Sequence, residues 1–163
     1  MTRADTMASA RPRDFVWRVR VYYEDTDAGG VVYYANYLRF FERCRTEWLR
    51  ALGFGQRELA ERDGVMFVVA EAEIRYLRPA QLDDEIDIDA HVAQRFASYV
   101  VFEQQGRRGS ELLCRGRVKV ACLDARTRKP TRLPAALVAL LSSTTGVQPM
   151  RPTMSPPGKT KNA

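Results

Sequence analysis

The sequence predicts an α+β domain in which one antiparallel sheet curls around one long helix. Three observations carry this. The segment 36–52 has helical apolar spacing, and its apolar face is too wide for a helix lying on a surface. The chain on either side of it alternates apolar and polar residues at period two. The later strands are separated by short turn-forming stretches instead of crossover helices, as an antiparallel meander requires.

Taken in order, Phe15 to Tyr23 reads as a strand, with Phe15, Trp17, Val19, Val21 and Tyr23 on one face and Arg18, Arg20 and Tyr22 on the other. In the helix, Tyr37, Phe41, Cys44, Trp48 and Leu52 recur at spacings of three and four, flanked by Leu38, Phe41, Arg45 and Leu49. Asn36 is the expected N-cap and Gly53 the stop. A short helix over Gln56–Asp63, ended by Gly64, follows. Ala70, Ala72, Ile74 and Tyr76 then alternate with Glu71, Glu73 and Arg75 as a strand, and the stretch from Pro79-Ala80 to Asp83-Asp84 is a turn. Ile86, Ile88, Ala90 and Val92 mark another strand, with Asp87, Asp89 and His91 on its polar face. Ser98–Gln104 is the next, and Arg107-Arg108-Gly109 makes a hairpin into the strand of Leu112, Cys114, Val118, Val120 and Cys122. A terminal helix over Pro134–Leu141 starts at its proline.

At 163 residues and 45% hydrophobic content the chain has material for one domain with a sizeable core. The expected boundaries are a disordered tail over 1–13, the folded domain over 14–141, and a disordered Pro/Ser/Thr-rich basic tail over 142–163. No apolar run reaches the length of a membrane span, and no signal-peptide core is present. The net charge of +6 falls mostly outside the domain: residues 142–163 contribute +3 and residues 1–14 contribute +1, which leaves +2 for the middle. A nucleic-acid surface is therefore not expected. Cys44, Cys114 and Cys122 are odd in number and lack metal-ligand spacing. Cys114 and Cys122, eight residues apart on one strand, stand roughly 26 Å apart and cannot form a disulfide. A reduced, cytoplasmic protein with buried thiols is the expectation.

The chemistry concentrates in Tyr22-Tyr23-Glu24-Asp25-Thr26-Asp27-Ala28-Gly29-Gly30, which runs from the first strand to the helix start. The single histidine, His91, lies far from it in sequence and on a polar strand face. That excludes a histidine-activated serine or cysteine there, and no ligand-spaced cluster supports metal hydrolysis. Carboxylates are the remaining bases or nucleophiles. An Asp-Thr-Asp before glycines is also an ordinary hydrogen-bonded turn, and the residues alone leave both readings open. The functional reading gains from its setting: the glycines let backbone approach a ligand, and amides at the Tyr34–Tyr37 turn can face a carbonyl oxygen as an oxyanion hole. Partial burial of the acid by Tyr33, Tyr34 and Tyr37 is expected to strengthen it as a base. An Asp-x-Asp phosphotransferase does not fit. Gly29 stands where such enzymes carry Thr or Val, and the meander lacks their crossover helices.

Tyr23-x-Asp25-Thr26-Asp27-Ala28-x-Gly30-Val31-Val32-Tyr33-Tyr34-x-x-Tyr37-x-x-Phe40-x-Glu42, followed by Tyr76-x-x-Pro79-Ala80-x-Leu82-Asp83-Asp84, resembles the hot-dog-fold acyl-CoA thioesterases of the 4-hydroxybenzoyl-CoA thioesterase class, most closely the YbgC type. The resemblance spans about residues 15–140. It implies hydrolysis of an acyl-CoA thioester without metal or cofactor, in a homodimer or homotetramer. The layout of one sheet around one helix, which leaves an edge strand and the helix start uncovered, likewise asks for a second protomer and puts the expected active site between the two. The resemblance places the catalytic aspartate, as nucleophile or general base, at Asp27, and the carbonyl-polarising amide near Tyr34. Gly30, Val32, Tyr33, Asn36 and Tyr37 are the implied substrate-binding residues, with Arg95 nearest to the family's phosphate-contacting loop. Tyr34 departs from the YbgC type, which usually has histidine there, and matches the 4-hydroxybenzoyl-CoA enzyme instead. An acyl carrier protein is a further implied partner. The alternative to an enzyme is a non-catalytic module binding acyl-CoA or acyl carrier protein and linked to envelope or lipid metabolism. A hydratase on the same fold needs a histidine–acid pair that the site does not offer.

Overall fold

The computed structural model describes residues 15–144. The expected tail over 1–13, and the part of 142–163 beyond Thr144, lie outside the described residues. The elements are β1 (Val16–Arg20), a single 3-10 turn (Tyr23–Asp25), α1 (Asn36–Ala51), α2 (Gln56–Arg62), β2 (Val65–Tyr76), β3 (Glu85–Asp89), β4 (His91–Arg95), β5 (Tyr99–Arg108), β6 (Glu111–Asp124) and α3 (Ala135–Thr144). One sheet holds the strands in the order β1-β3-β5-β6-β2, with β4 also paired to β5. All the pairings are antiparallel.

The meander is less complete than expected. β2 does not neighbour β3. It pairs along its length with β6, from Val65 opposite Asp124 to Tyr76 opposite Cys114, while β3 lies between β1 and β5. Residues 77–84 must therefore cross the end of the sheet, and the amides of Leu77 and Arg78 both donate to the Leu113 carbonyl on the way, at 2.8 and 3.0 Å. The single strand expected over 86–92 is interrupted at Ala90. Beside it the Gln105 amide donates to the Asp89 carboxylate at 2.7 Å, outside the regular ladder. β5 continues through Arg107 and Arg108, so the hairpin turn falls at Gly109–Ser110, where Gly109 takes φ +58°.

α1 buries Tyr37, Phe40, Phe41, Cys44 and Leu49, with Trp48 and Leu52 packed beside them. These meet Ile86, Ile88, Val100, Phe102, Leu113, Cys114 and Val118 of the sheet. Each such side chain contributes about 1.5–3 kcal/mol on burial. The close approach of helix to sheet depends on Gly116. A Cβ there would meet the Phe41 ring at 2.5 Å and the Glu73 carbonyl at 3.1 Å. Phe40 belongs to the core face and Leu38 does not, being 40% exposed, so the apolar stripe is rotated from the one expected. Gly53, at φ +92°, ends the helix; the Phe54 amide returns to the Leu49 carbonyl at 3.1 Å. α3 closes the core with Leu137 and Leu141 and runs to Thr144, three residues past the expected boundary, with the Ser142 hydroxyl bonded to the Val138 carbonyl.

Two further expectations change at the front of the chain. Tyr23 is 81% exposed instead of lying on the buried face of β1, because the strand ends at Arg20 and the backbone turns into the 3-10 segment. Ala35, not Asn36, is the N-cap of α1, and Asn36 is its first helical residue.

Candidate active site

β1 hands the chain to Val21, which is fully buried and exchanges backbone bonds with the 83–84 segment: its amide donates to the Asp84 carbonyl and its carbonyl accepts from the Asp83 amide. The 3-10 turn follows, closed by the Asp25 carboxylate, whose Oδ2 accepts the Tyr22 amide at 2.9 Å. Asp25 is buried. Its carbonyl oxygen accepts both the Tyr33 amide at 2.8 Å and Asn36 Nδ2 at 2.9 Å. This acid is committed to holding the turn.

Asp27 is placed differently. Residues 26–32 form a tight hairpin in which Thr26 pairs with Val32, the Asp27 amide donates to Val31, and the Gly30 amide donates back to the Asp27 carbonyl, both at 3.0 Å. Gly30 takes φ +77°, the left-handed conformation that lets a three-residue loop rejoin the ladder. The Asp27 carboxylate projects from this hairpin into solvent. Its Oδ1 accepts the Gly29 amide at 2.8 Å, and among the described residues its other oxygen accepts no hydrogen bond. The expected partial burial by Tyr33, Tyr34 and Tyr37 is not what the chain adopts. Tyr37 turns into the core, and the hairpin carries Asp27 outward.

Tyr33 and Tyr34 are exposed beside it, with ring centroids 4.8 Å apart. The Tyr33 hydroxyl is held above its ordinary range, first by the Tyr34 hydroxyl and in smaller part by the Asp27 carboxylate. Tyr34 meets Tyr76 edge-on at 6.2 Å, and Tyr76 meets Tyr37 at 5.6 Å. The Tyr76 hydroxyl donates to the Tyr34 carbonyl at 2.8 Å, fixing the peptide just before α1. Burial pushes the Tyr37 hydroxyl up to about 12, with Cys114 adding to the shift and the Ala80 backbone opposing it. The amides of Tyr34 and Ala35 donate to no acceptor among the described residues. They open at the positive end of the helix dipole.

Of the residues the sequence nominates, Asp27, Tyr33 and Tyr34 are exposed together on this surface, and Gly30 shapes the hairpin. Val32, Asn36 and Tyr37, nominated with them, are buried. Arg95 stands apart. It pairs with Val100 near the start of β5, whereas the 77–84 loop beneath the hairpin is tied to Arg108 at the end of that strand. Eight residues separate the two positions, about 26 Å at strand rise. His91 lies on β4 opposite Glu103, also away from Asp27. Sequence reasoning did not assign Tyr76 or Asp84 a part in the site; both stand in the second motif, which was the available signal. A separate pocket of about 110 Å³ opens along α1, lined by Arg45, Trp48, Phe67, Phe102, Leu137 and others, none of them in the Asp27 hairpin. Among the described residues no group of three or more His, Cys, Asp or Glu side chains converges as a metal site would require, and no helix is long and apolar enough to cross a membrane.

The model of the thioesterase-like superfamily matches residues 21–141. Over 125 residues the chain is 46% identical to the acyl-CoA thioesterase YbgC of Haemophilus influenzae, an alignment that covers 77% of this chain and 92% of that protein. The acyl-CoA thioester hydrolase YbgC of Escherichia coli O6:H1 is also 46% identical, over 127 residues that cover 77% of this chain and 93% of the relative. Among solved structures, one described as a probable thioesterase from Bartonella henselae superposes with a TM-score of 0.70 at 39% identity, covering 73% of this chain and 98% of that one.

Proposed function

The chain belongs to the thioesterase-like superfamily, with the hot-dog fold, and on that premise we propose that it hydrolyses acyl-CoA thioesters using the Asp27 carboxylate. The observation that carries this reading is the pairing of one exposed, singly bonded carboxylate with open amides at the adjacent helix start. In this reading the thioester carbonyl oxygen lies against the Tyr34 and Ala35 amides, whose preorganised donors stabilise the developing oxyanion by on the order of 3 kcal/mol each. Asp27 attacks the carbonyl carbon directly, breaking the C–S bond and expelling the CoA thiolate to leave a mixed anhydride that water then cleaves. Alternatively, it takes a proton from a water that attacks the carbon and expels the same thiolate, which is protonated as it leaves. Either route ends in free acid and the CoA thiol. The Gly29 amide bond to Oδ1 orients the carboxylate and leaves the second oxygen for the reaction. In this reading the acyl group lies against Tyr34, which stands beside Tyr33 and Tyr76.

A second copy completes the site in this reading. β2 is an edge strand whose Val69 and Tyr76, with Leu77 just beyond it, are each between 41% and 50% exposed, a surface that pairing with another edge removes from water. Arg95, too far from Asp27 in its own protomer, then serves CoA phosphates at a neighbour's site. The donor is CoA or an acyl carrier protein, in a reducing compartment that suits three buried free thiols.

Thiol release from a panel of acyl-CoAs tests the assignment. Asp27→Asn should lower kcat by on the order of 10³ or more while leaving fold and CoA binding intact. Near-wild-type turnover by that variant refutes the role of Asp27. Acyl-CoA binding by the wild-type protein without thiol release makes it a binding module.

A further inference from the structure

We propose that Asp84, clamped by Arg108, is a positioning residue for the hydrolytic reaction, setting the Asp27 carboxylate through the 77–84 loop. The inference rests on the reading of Asp27 as the catalytic group.

The loop is anchored at both ends. Leu77 and Arg78 hang on the Leu113 carbonyl. At the far end Asp83 and Asp84 bracket Val21 by backbone bonds, and Arg20 Nη1 donates to the Asp83 carbonyl at 2.7 Å. Between these anchors the chain makes a tight turn, with Asp83 at φ +68°, a left-handed conformation that costs a non-glycine residue energy. The Asp84 carboxylate pays for that turn: its Oδ2 accepts the Gln81 amide at 2.8 Å while the Asp84 amide returns to the Gln81 carbonyl at 3.2 Å.

From there a short route leads to the site. Gln81 forms a bridge with Val31, and the Ala80 carbonyl accepts the Val32 amide at 2.8 Å. The Val31 carbonyl in turn accepts the amide of Asp27 itself. The loop is thus the backbone partner on which the hairpin's return strand lies. A shift of Gln81 moves Val31, and with it Asp27.

An acceptor alone satisfies the Gln81 amide, so the turn by itself does not need a charge at residue 84. The charge is used elsewhere. Arg108 donates to both Asp84 and Glu111, and Arg78 stands 3.8 Å from Glu111. This network ties the loop to the β5–β6 end of the sheet. Ion pairs of this exposure contribute little to stability. Restraining a reactive group is a larger effect, since a displacement near 1 Å costs as much as about a hundredfold in rate.

The test is steady-state thiol release by Asp84→Ala, Asp84→Asn, Arg108→Met and Asp27→Asn, with the folded fraction of each measured by circular dichroism at the assay temperature. Asp84→Ala should lower kcat per folded molecule about tenfold or more, with KM changed less than about threefold. Asp84→Asn keeps the acceptor for Gln81 but loses the charge that faces Arg108, so it should restore only part of that loss, to about the level of Arg108→Met. Arg108→Met leaves the turn intact and should lower kcat by about threefold or more. A folded Asp84→Ala with kcat within twofold of wild type, or an Asp84→Asn no more active than Asp84→Ala, overturns the proposal. If Asp84→Ala does not fold, unchanged kcat in Arg108→Met overturns it instead. The Asp27→Asn variant separates the two levels: turnover there refutes the catalytic reading, whereas its inactivity beside a fully active Asp84→Ala refutes the positioning role alone.

Discussion

Asn36 reaches back eleven residues, its Nδ2 donating to the Asp25 carbonyl oxygen at 2.9 Å in a buried environment. The same oxygen takes the Tyr33 amide, so the acid-bearing turn and the first turn of α1 are held as one unit. The distance between Asp27 and the open helix-start amides is therefore set by a bond that touches neither. Asn36→Ala should lower stability by about 1–3 kcal/mol, the cost of losing a buried amide bond, and lower kcat with it. Urea denaturation alongside thiol-release kinetics checks both.

Gly29 and Gly30 are neighbours that should fail in different ways. At Gly30 a Cβ meets nothing within 4 Å, but φ is +77°, so Gly30→Ala should cost about 1–2 kcal/mol through backbone strain. At Gly29 no positive φ is involved, and an added Cβ comes within 3.1 Å of Asp27 Oδ1. Gly29→Ala should leave the melting temperature nearly unchanged and reduce kcat by turning the carboxylate. Melting curves and kinetics on the two variants should rank them in opposite order.

The three cysteines should be silent in the native protein. Burial pushes the Cys44 and Cys114 thiols up to about 12 and Cys122 to about 11, leaving almost no thiolate at pH 8. Ellman's reagent should find no thiol over minutes in the folded protein and three equivalents in denaturant. The same reagent then reports released CoA against little background.

The Asp84 network has a signed pH dependence. Burial raises the Asp84 carboxyl, but the Gln81 amide and the Arg108 guanidinium outweigh it and hold the group below its usual 3.8. A carboxylate depressed in the folded state adds stability above the unfolded value and loses it as pH falls through the folded one. The stability difference between wild type and Asp84→Asn should therefore be flat from pH 7 to about 5 and close below about 3.8. Denaturant midpoints measured across that range test it.

Local pattern carried much of this protein. The helical spacing of 36–52 and the glycine stop at Gly53 depend on neighbours a few residues apart, and the structure has both a helix there and the stop. The alternation expected over 15–23 holds only in part, since Val19 and Val21 are buried but Trp17 and Tyr23 are exposed. Carboxylates and glycines before a helix start likewise marked the candidate site, because the turn they form is local. Strand order was not legible in the same way. Alternation says which face of a strand is buried and nothing about which strand lies beside it, so the pairing of β2 with β6 had no local signature.

Asp25 and Asp27 show the division most clearly. By itself the sequence determined that acids stand on a tight turn between a strand and a helix, since glycines and side-chain acceptors shape a turn wherever they occur. Only the tertiary structure decided that Asp25 is buried beneath Asn36 and Tyr33 while Asp27 stands open beside Tyr33 and Tyr34. The physical reason is distance along the chain. Asn36, Tyr33 and Tyr34 are near neighbours in the chain, but the 77–84 loop that holds Val21, Val31 and Val32 meets this turn only once the sheet has closed around α1.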